Sequence, residues 1–360
     1  MKQLKFGPAM LAATLTGFIA CFVLYRMMAR YTSGWVPAPV IWLLSFLMLP
    51  AALSYAIICY FRYRKSDNNT SRIISTFNVI IAFLLAFDLY SFGWQKIFHL
   101  QMVVPLGILD LPFNSLDGET LTWAYFRRSY PFTVTIALAQ ISGSVLLLFK
   151  RTRLLGLIML VPVLLNIILI DIYYHLHTWV LVHAIILMSG IIYLLYQYKI
   201  VLIQFFFHLS PDILKWNMGR KTQWTAGVII LLLPLILLLT YRSPDKHPRF
   251  TGKYKVNDLY VNNIPQQAGN FRDSVLTTIY MDLQDDMVLE FNHYNNRYIG
   301  TYHYDPGTQR ISAKWRYPSN FKLRFEGTLL PMEHSHDFRF KGLLGKDSIQ
   351  MQLIHIPEPR

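Results

Sequence analysis

Seven apolar runs, each long enough or nearly long enough to cross a bilayer, constrain this chain more than any other feature. They run approximately Pro8–Arg26, Val40–Phe61, Ile73–Phe92, Pro131–Phe149, Leu154–Tyr173, Trp179–Tyr198 and Trp224–Tyr241. A helix needs roughly 20 residues to cross a hydrocarbon core of about 30 Å. Unpaired backbone amides are too costly in lipid for anything but helices or closed barrels. The runs are continuous, without the period-2 alternation of a membrane strand, so helices are expected. Pro162 and Pro234 fall inside two of them, where a membrane helix tolerates proline better than a soluble one.

Charge placement gives the expected orientation. The net charge of +14 would suggest nucleic acid if it were clustered on a soluble domain. Instead, 13 basic residues gather in the N-terminal segment and alternate connections: Lys2, Lys5, Arg62, Arg64, Lys65, Arg72, Lys150, Arg151, Arg153, Lys199, Lys215, Arg220 and Lys221. The opposite connections keep five: Arg26, Arg30, Lys96, Arg127 and Arg128. This asymmetry puts the N-terminus in the cytoplasm. The expected location is a bacterial inner membrane, with the bilayer as partner, no nucleic acid, and a C-terminal domain that is periplasmic or extracellular. Trp35, Trp94, Trp123 and Trp179 sit near outer ends, as an aromatic belt would. The first run is long and followed by Arg26 without a small-residue cleavage pattern, so it reads as an uncleaved anchor. Ile200–His208 is too short to span and leads to Ser210-Pro211-Asp212, a connector or a short interfacial helix.

Beyond Pro244 and Pro248 the period changes to 2. Phe321, Leu323 and Phe325 alternate with Lys322, Arg324 and Glu326; Tyr298, Gly300, Tyr302 and Tyr304 share one parity, and so do Ile349, Met351 and Leu353. Asp305-Pro306-Gly307 reads as a turn. The fold expected is a mainly α polytopic membrane helix bundle of about seven transmembrane helices, followed by a small antiparallel β barrel or sandwich. Its parts are a two-helix region (1–72), a four-helix unit (73–198), a connector with the seventh helix (199–241) and an exported β-rich domain (242–360). Cys21 and Cys59 fall at opposite ends of neighbouring spans, too far apart for a disulfide, and there is no Cys-x-x-Cys.

The middle spans carry a resemblance. Tyr90-Ser91-Phe92-Gly93-Trp94-Gln95-Lys96-Ile97-Phe98 closes the third run, and Gln140-Ile141-Ser142-Gly143 with Leu146-Leu147-Leu148 fills the fourth. Lys150-Arg151-Thr152-Arg153 then leads through Leu154-Leu155 to Gly156. This succession resembles the DoxX family over roughly Ile73–Tyr198. The resemblance implies a four-helix membrane unit, and some members of that family are linked to quinones, sulfur oxidation or oxidative stress. Gln140 stands where an acidic residue is often found, and the loop Leu100–Ser129 is longer than in short members.

Polar residues within the spans supply the site candidates, because an ionisable group in a membrane needs a partner or a purpose. They are Asp88, Tyr90, Lys96, Gln140, Asn166, Asp171 and His175, with His177 and His183 close by. Asp88 and Lys96, eight apart, would need a bend to pair; Asp171 and His175 share a face if the helix continues. A quinone needs donors for its two carbonyls beside an apolar slot, and Tyr90, Gln140, Asp171 and His175 are residues of that kind. The competing reading is that water and headgroups at the interface satisfy them. No metal is assigned: His175 with His177, and Glu333-His334-Ser335-His336, are loose as ligand sets. Asp110, Asp117 and Glu119 with Arg127 and Arg128 read as a salt-bridged re-entrant or surface helix. Two functions remain open. One is a quinone-associated redox or accessory component with a polar outer cavity between the third and sixth spans. The other is a membrane anchor presenting a β-domain (242–360) to an envelope partner.

Overall fold

A computed structural model of the chain describes residues 6–62, 69–109, 111–208, 219–240, 243, 245–270, 272–318, 323–332 and 336–357. Lys2, Lys5, Arg64, Lys65, Asp110, Ser210-Pro211-Asp212, Lys215, Tyr241, Phe321, Lys322 and Glu333-His334-Ser335 of the sequence reading lie outside the described residues. Packing divides the chain into two compact units, Met1–Lys215 and Trp216–Arg360.

The first unit is helical: α1 (Phe6–Tyr31), α2 (Ala38–Phe46), α3 (Met48–Arg62), α4 (Asn69–Ile97), α5 (Leu106–Leu109), α6 (Gly118–Arg128), α7 (Tyr130–Leu148), α8 (Arg153–Tyr173), α9 (Thr178–Gln197) and α10 (Lys199–Ile203). Among the described residues, six helical stretches are long and apolar enough to cross a membrane: Gly7–Tyr31, Ala38–Arg62, Thr70–Ile97, Tyr130–Leu148, Arg153–Tyr173 and Thr178–Gln197. They mark a multi-pass membrane protein and match the first six apolar runs. The second stretch is α2 and α3 in series, interrupted at Leu47. Pro50 lacks an amide proton, and its ring crowds the carbonyl of Phe46, which breaks the ladder there.

Outward-facing apolar side chains have no water to avoid in lipid, so close packing rather than hydrophobicity must hold such helices together. Ala9, Ala12 and Ala13 of α1 lie fully buried with Ala56 of α3 and Phe77 of α4. A Cβ on Gly17 would stand 2.8 Å from the Leu49 Cα, so only glycine lets α1 and α3 approach this closely. The main core joins Ile19 and Val23 of α1 to Leu85 and Leu89 of α4, Leu147 of α7, Leu160 of α8 and Ile191 of α9. The first span is therefore part of the same core as the middle four. Cys21 and Cys59 are both free thiols.

The second unit contains α11 (Arg220–Thr240) and nine strands: β1 (Gly252–Val261), β2 (Ile264–Pro265), β3 (Leu276–Asp282), β4 (Asp286–Phe291), β5 (Arg297–Asp305), β6 (Arg310–Tyr317), β7 (Phe325–Pro331), β8 (Phe338–Leu344) and β9 (Asp347–Ile356). The apolar part of α11 described, Trp224–Leu239, is shorter than the six spans. Every strand pairing is antiparallel, and β1 pairs with both β3 and β9, which closes an eight-stranded up-and-down barrel; β2 only extends β1 at one end. Closure leaves no strand edge to template aggregation. Barrel, rather than sandwich, is thus the β architecture.

Period-2 alternation puts Ile349, Met351 and Leu353 of β9 and Met287, Leu289 and Phe291 of β4 inside. A barrel of eight strands is just wide enough for side chains to fill, and here Phe325 stacks on Phe340 at 4.7 Å between centroids. The expected turn after β5 is held by Asp305, whose carboxylate accepts from the Gly307 amide at 3.0 Å and the Thr308 hydroxyl at 2.6 Å. Outside, Arg297 pairs with its cross-strand neighbour Glu290.

Two interior phenols give the barrel an alkaline limit. Burial pushes Tyr254 up to about 12, with the Asp337 charge adding to it. Burial also raises Tyr302, with Asp285 and Asp245 adding. A folded value above the unfolded one, about 10 for a phenol, means stability is fully present below pH ~10 and lost as pH rises through the folded value. In an alkaline titration of the full-length protein, these tyrosines are expected to ionise together with loss of the strand circular dichroism. Complete tyrosinate absorbance near pH 10 with the strands intact would contradict this.

Candidate functional site

Helical spacing puts Ile81, Leu85, Asp88, Phe92 and Lys96 on one face of α4, each three or four residues from the next. That face turns inward, and Asp88 is fully buried. Its Oδ1 accepts from Arg26 Nε at 2.8 Å and lies 2.6 Å from Arg26 Nη2; its Oδ2 lies 2.8 Å from His183 Nε2. A carboxylate can only accept, so His183 donates through Nε2. Arg26 Nη2 also donates to the Asp88 carbonyl at 3.3 Å. The Arg26 guanidinium stands 3.9 Å from the Phe92 ring centroid, a cation–π distance, and the Phe92 and Phe22 rings flank His183 at 5.9 and 6.0 Å.

Lys96 does not pair with Asp88. Eight residues separate them by about 12 Å along a helix, and α4 runs unbroken between them. The Lys96 ammonium is 5% exposed and donates to Gln140 Oε1 at 2.9 Å, while Gln140 Nε2 donates to the Leu89 carbonyl at 3.0 Å. Gln140 in turn accepts at its own carbonyl from the Ser144 hydroxyl at 2.7 Å. Two buried polar clusters thus tie α4 to its neighbours, one to α1 and α9 through Asp88 and one to α7 through Gln140.

Of the candidates, the structure brings Lys96 and Gln140 together, sets Asp88 about two turns away on the same face of α4 with Arg26 and His183, and leaves the others apart. Tyr90 is exposed and meets Trp94 edge-on. Asn166 is exposed on α8. Asp171 is buried near the end of α8, and its Oδ2 has no hydrogen-bond partner among the described residues. His175 does not share a face with Asp171, because the helix stops first. Tyr174 is the cap, His175 takes a left-handed φ of 54°, and the Leu176 amide donates to the Asp171 carbonyl at 3.1 Å. That is a Schellman ending with histidine in the usual glycine place. His99 ends α4 the same way, with the Leu100 amide on the Gln95 carbonyl at 2.8 Å.

Arg26 and His183 complete the Asp88 cluster, and sequence reasoning did not rank them. Arg26 counts against the expected orientation if it faces water, and that misfit was the signal.

The segment between α4 and α7 contains the helix α6, but the expected salt bridges are not found among the described residues. Asp117 caps α6 by accepting from the Thr120 amide at 3.0 Å and hydroxyl at 2.6 Å, and these bonds hold its carboxyl below the usual range. Glu119 accepts from Trp123 Nε1 at 3.2 Å. No cluster of three His, Cys, Asp or Glu that could hold a metal occurs among the described residues.

Two cavities lie beside α4. A groove of about 390 Å³ is lined by Met27, Met28 and Tyr31 of α1, the following Thr32, and Phe87 and Ser91 of α4. A second cavity of about 360 Å³ is lined by residues that include Lys96, His99, Phe126, Arg127, Tyr130 and Thr133.

The class defined is a multi-pass helical protein followed by a closed eight-stranded barrel. Over 89 residues the chain is 32% identical to the Uncharacterized protein YwoB of Bacillus subtilis (strain 168), covering 24% of this chain and 55% of that relative. The chain thus spans about half the length of the curated relative it matches. No family model and no solved structure matches the chain.

Proposed function

We propose that this chain is a DoxX-like component of the bacterial inner membrane that binds a quinone in the groove between α1 and α4. In this reading the N-terminus is cytoplasmic, α11 is the seventh span, and the barrel lies on the outer side. The observation that carries it is the groove's composition. Met27, Met28 and Phe87 offer an apolar slot, and the hydroxyls of Tyr31 on α1 and Ser91 on α4 line the groove, Ser91 one helical turn from Asp88. The Tyr31 hydroxyl accepts from Gln95 Nε2 at 3.0 Å, which leaves its own proton to donate to a carbonyl. Ser91 donates to the Met27 sulfur at 3.9 Å, a weak acceptor that a carbonyl displaces at little cost. A bound quinone supplies two-electron, two-proton chemistry; Tyr31 and Ser91 hold and orient its carbonyls, and Asp88, with Arg26 and His183, backs them with a fixed charge arrangement.

The test is titration of the purified full-length protein with a short-chain ubiquinone and a menaquinone analogue, reading tryptophan fluorescence. Saturable quenching is expected, weakened about tenfold in Ser91→Ala or Tyr31→Phe by loss of a donor. No saturable quenching with either quinone removes the proposal.

A second reading, an anchor presenting the barrel to an envelope partner, is supported by the barrel's belonging to a compact unit whose interior its own side chains fill. Any partner would therefore use the outer face. Crosslinking from exposed Tyr317 and Leu330 in cell envelopes tests it, and the absence of any specific adduct counts against it.

A further inference from the structure

We infer that the second cavity, at the junction of α4 with α6 and α7, is a binding site for a phosphate-type oxyanion. Its wall includes Lys96 and Arg127, two cations, and, among the described residues, no carboxylate. Lys96 is buried, yet its three donors find one acceptor among the described residues, the neutral Gln140 Oε1. An ammonium taken out of water needs more compensation than a single amide oxygen gives. Asp88, the nearest acid on the same helix face, is already occupied by Arg26 and His183. Arg127 is exposed and has no acidic partner among the described residues. The described acids of its own segment are engaged elsewhere, Asp117 at the α6 cap and Glu119 with Trp123.

The surroundings fit an oxyanion rather than a neutral ligand. The His99 ring lies 4.6 Å from that of Tyr130 and adds a ring N–H donor to the wall. Tyr130 donates to the Ile97 carbonyl at 3.0 Å, which ties the start of α7 to the end of α4 and holds the cavity's shape. An anion between Lys96 and Arg127 would bring several oxygen acceptors to both cations and form charge-assisted bonds with each. The cavity sits where α4 ends and α7 begins, at the level expected for lipid headgroups. The oxyanion therefore comes either from an anionic phospholipid headgroup or from a free phosphate compound. At about 360 Å³ the cavity is within the size of small-ligand pockets. The site is separate from the quinone groove and does not depend on it.

The experiment uses the full-length protein in nanodiscs. One arm compares phosphatidylglycerol with phosphatidylcholine by native mass spectrometry; the other titrates inorganic phosphate against chloride in phosphatidylcholine discs and reads the melting temperature. Retention of phosphatidylglycerol assigns the lipid source, and stabilisation by inorganic phosphate assigns the soluble one; either supports the site. Arg127→Gln is expected to weaken binding about tenfold, the loss of one charge-assisted hydrogen bond. Arg128→Gln removes the same charge one residue outside the cavity wall and should leave binding unchanged. Lys96→Gln should abolish binding, and the exposed Arg127 variant keeps the test decisive if the buried one does not fold. Preference for neither anion, or equal losses in Arg127→Gln and Arg128→Gln, overturns the site in favour of none or of general surface attraction.

Discussion

Asp88→Ala is expected to lower the stability of the helical unit by about 3–5 kcal/mol, the usual cost of removing one partner from a buried ion pair. The physical reason is the state of what remains. Arg26 would keep its charge near the Phe92 ring with its carboxylate gone, and His183 would lose the acceptor of its Nε2 proton. In lipid neither can recover the loss from water. His183→Ala should cost less, about 1–3 kcal/mol, because the Arg26–Asp88 pair survives. The double variant Arg26→Gln with Asp88→Asn should recover part of the loss, since no unpaired charge is left. Thermal unfolding of the detergent-purified full-length protein reads all three. An Asp88→Ala melting temperature equal to that of the unchanged protein would remove the network from any structural account.

Gly342→Val is expected to be the most damaging single change in the barrel, at about 3 kcal/mol or more for overpacking against backbone. A Cβ at Gly342 would stand 2.2 Å from the Glu326 carbonyl oxygen and 2.5 Å from the Gly327 Cα. Gly327 and Gly342 are register partners on β7 and β8, and the Phe340 ring tip lies over both. A side chain there must push apart two strands of a closed barrel, and closure lets neither strand swing free. Hydrogen exchange of the full-length variant should show lost amide protection in β7 and β8, spreading to β6 and β9. Full protection in Gly342→Val would mean that the strands can separate without cost, contrary to the close approach seen here.

Much of this architecture was legible in the chain. Apolar run length predicted seven spans, of which the first six are long apolar helices among the described residues, because lipid leaves a backbone no other partner than its own helix. Alternation predicted the strands because a pleated sheet has two faces and only one is dry. The turn at Asp305-Pro306-Gly307 followed from local chemistry alone, and the structure has it. The candidate site was legible only in part. Asp88, Lys96 and Gln140 were marked by cost, as polar groups where polar groups are expensive. Which partner each one takes was not, because Arg26 lies 62 positions from Asp88, and His183 lies 95. His175 was misjudged for a local reason: nothing in its neighbours indicated that α8 would end in a left-handed histidine rather than continue.

The sequence by itself therefore determined the solvent of each segment: lipid for the apolar runs, water for one face of the strands. That information is local, carried by composition and by periods of 3.6 and 2. The tertiary structure alone decided that the β-domain closes into a barrel, that the first span enters the main core, and that an arginine and a histidine from distant helices meet over one buried aspartate. Those outcomes depend on the packing of surfaces far apart in the chain, and the close approach at Gly17 that lets α1 fit against α3 is the kind of contact that decides them.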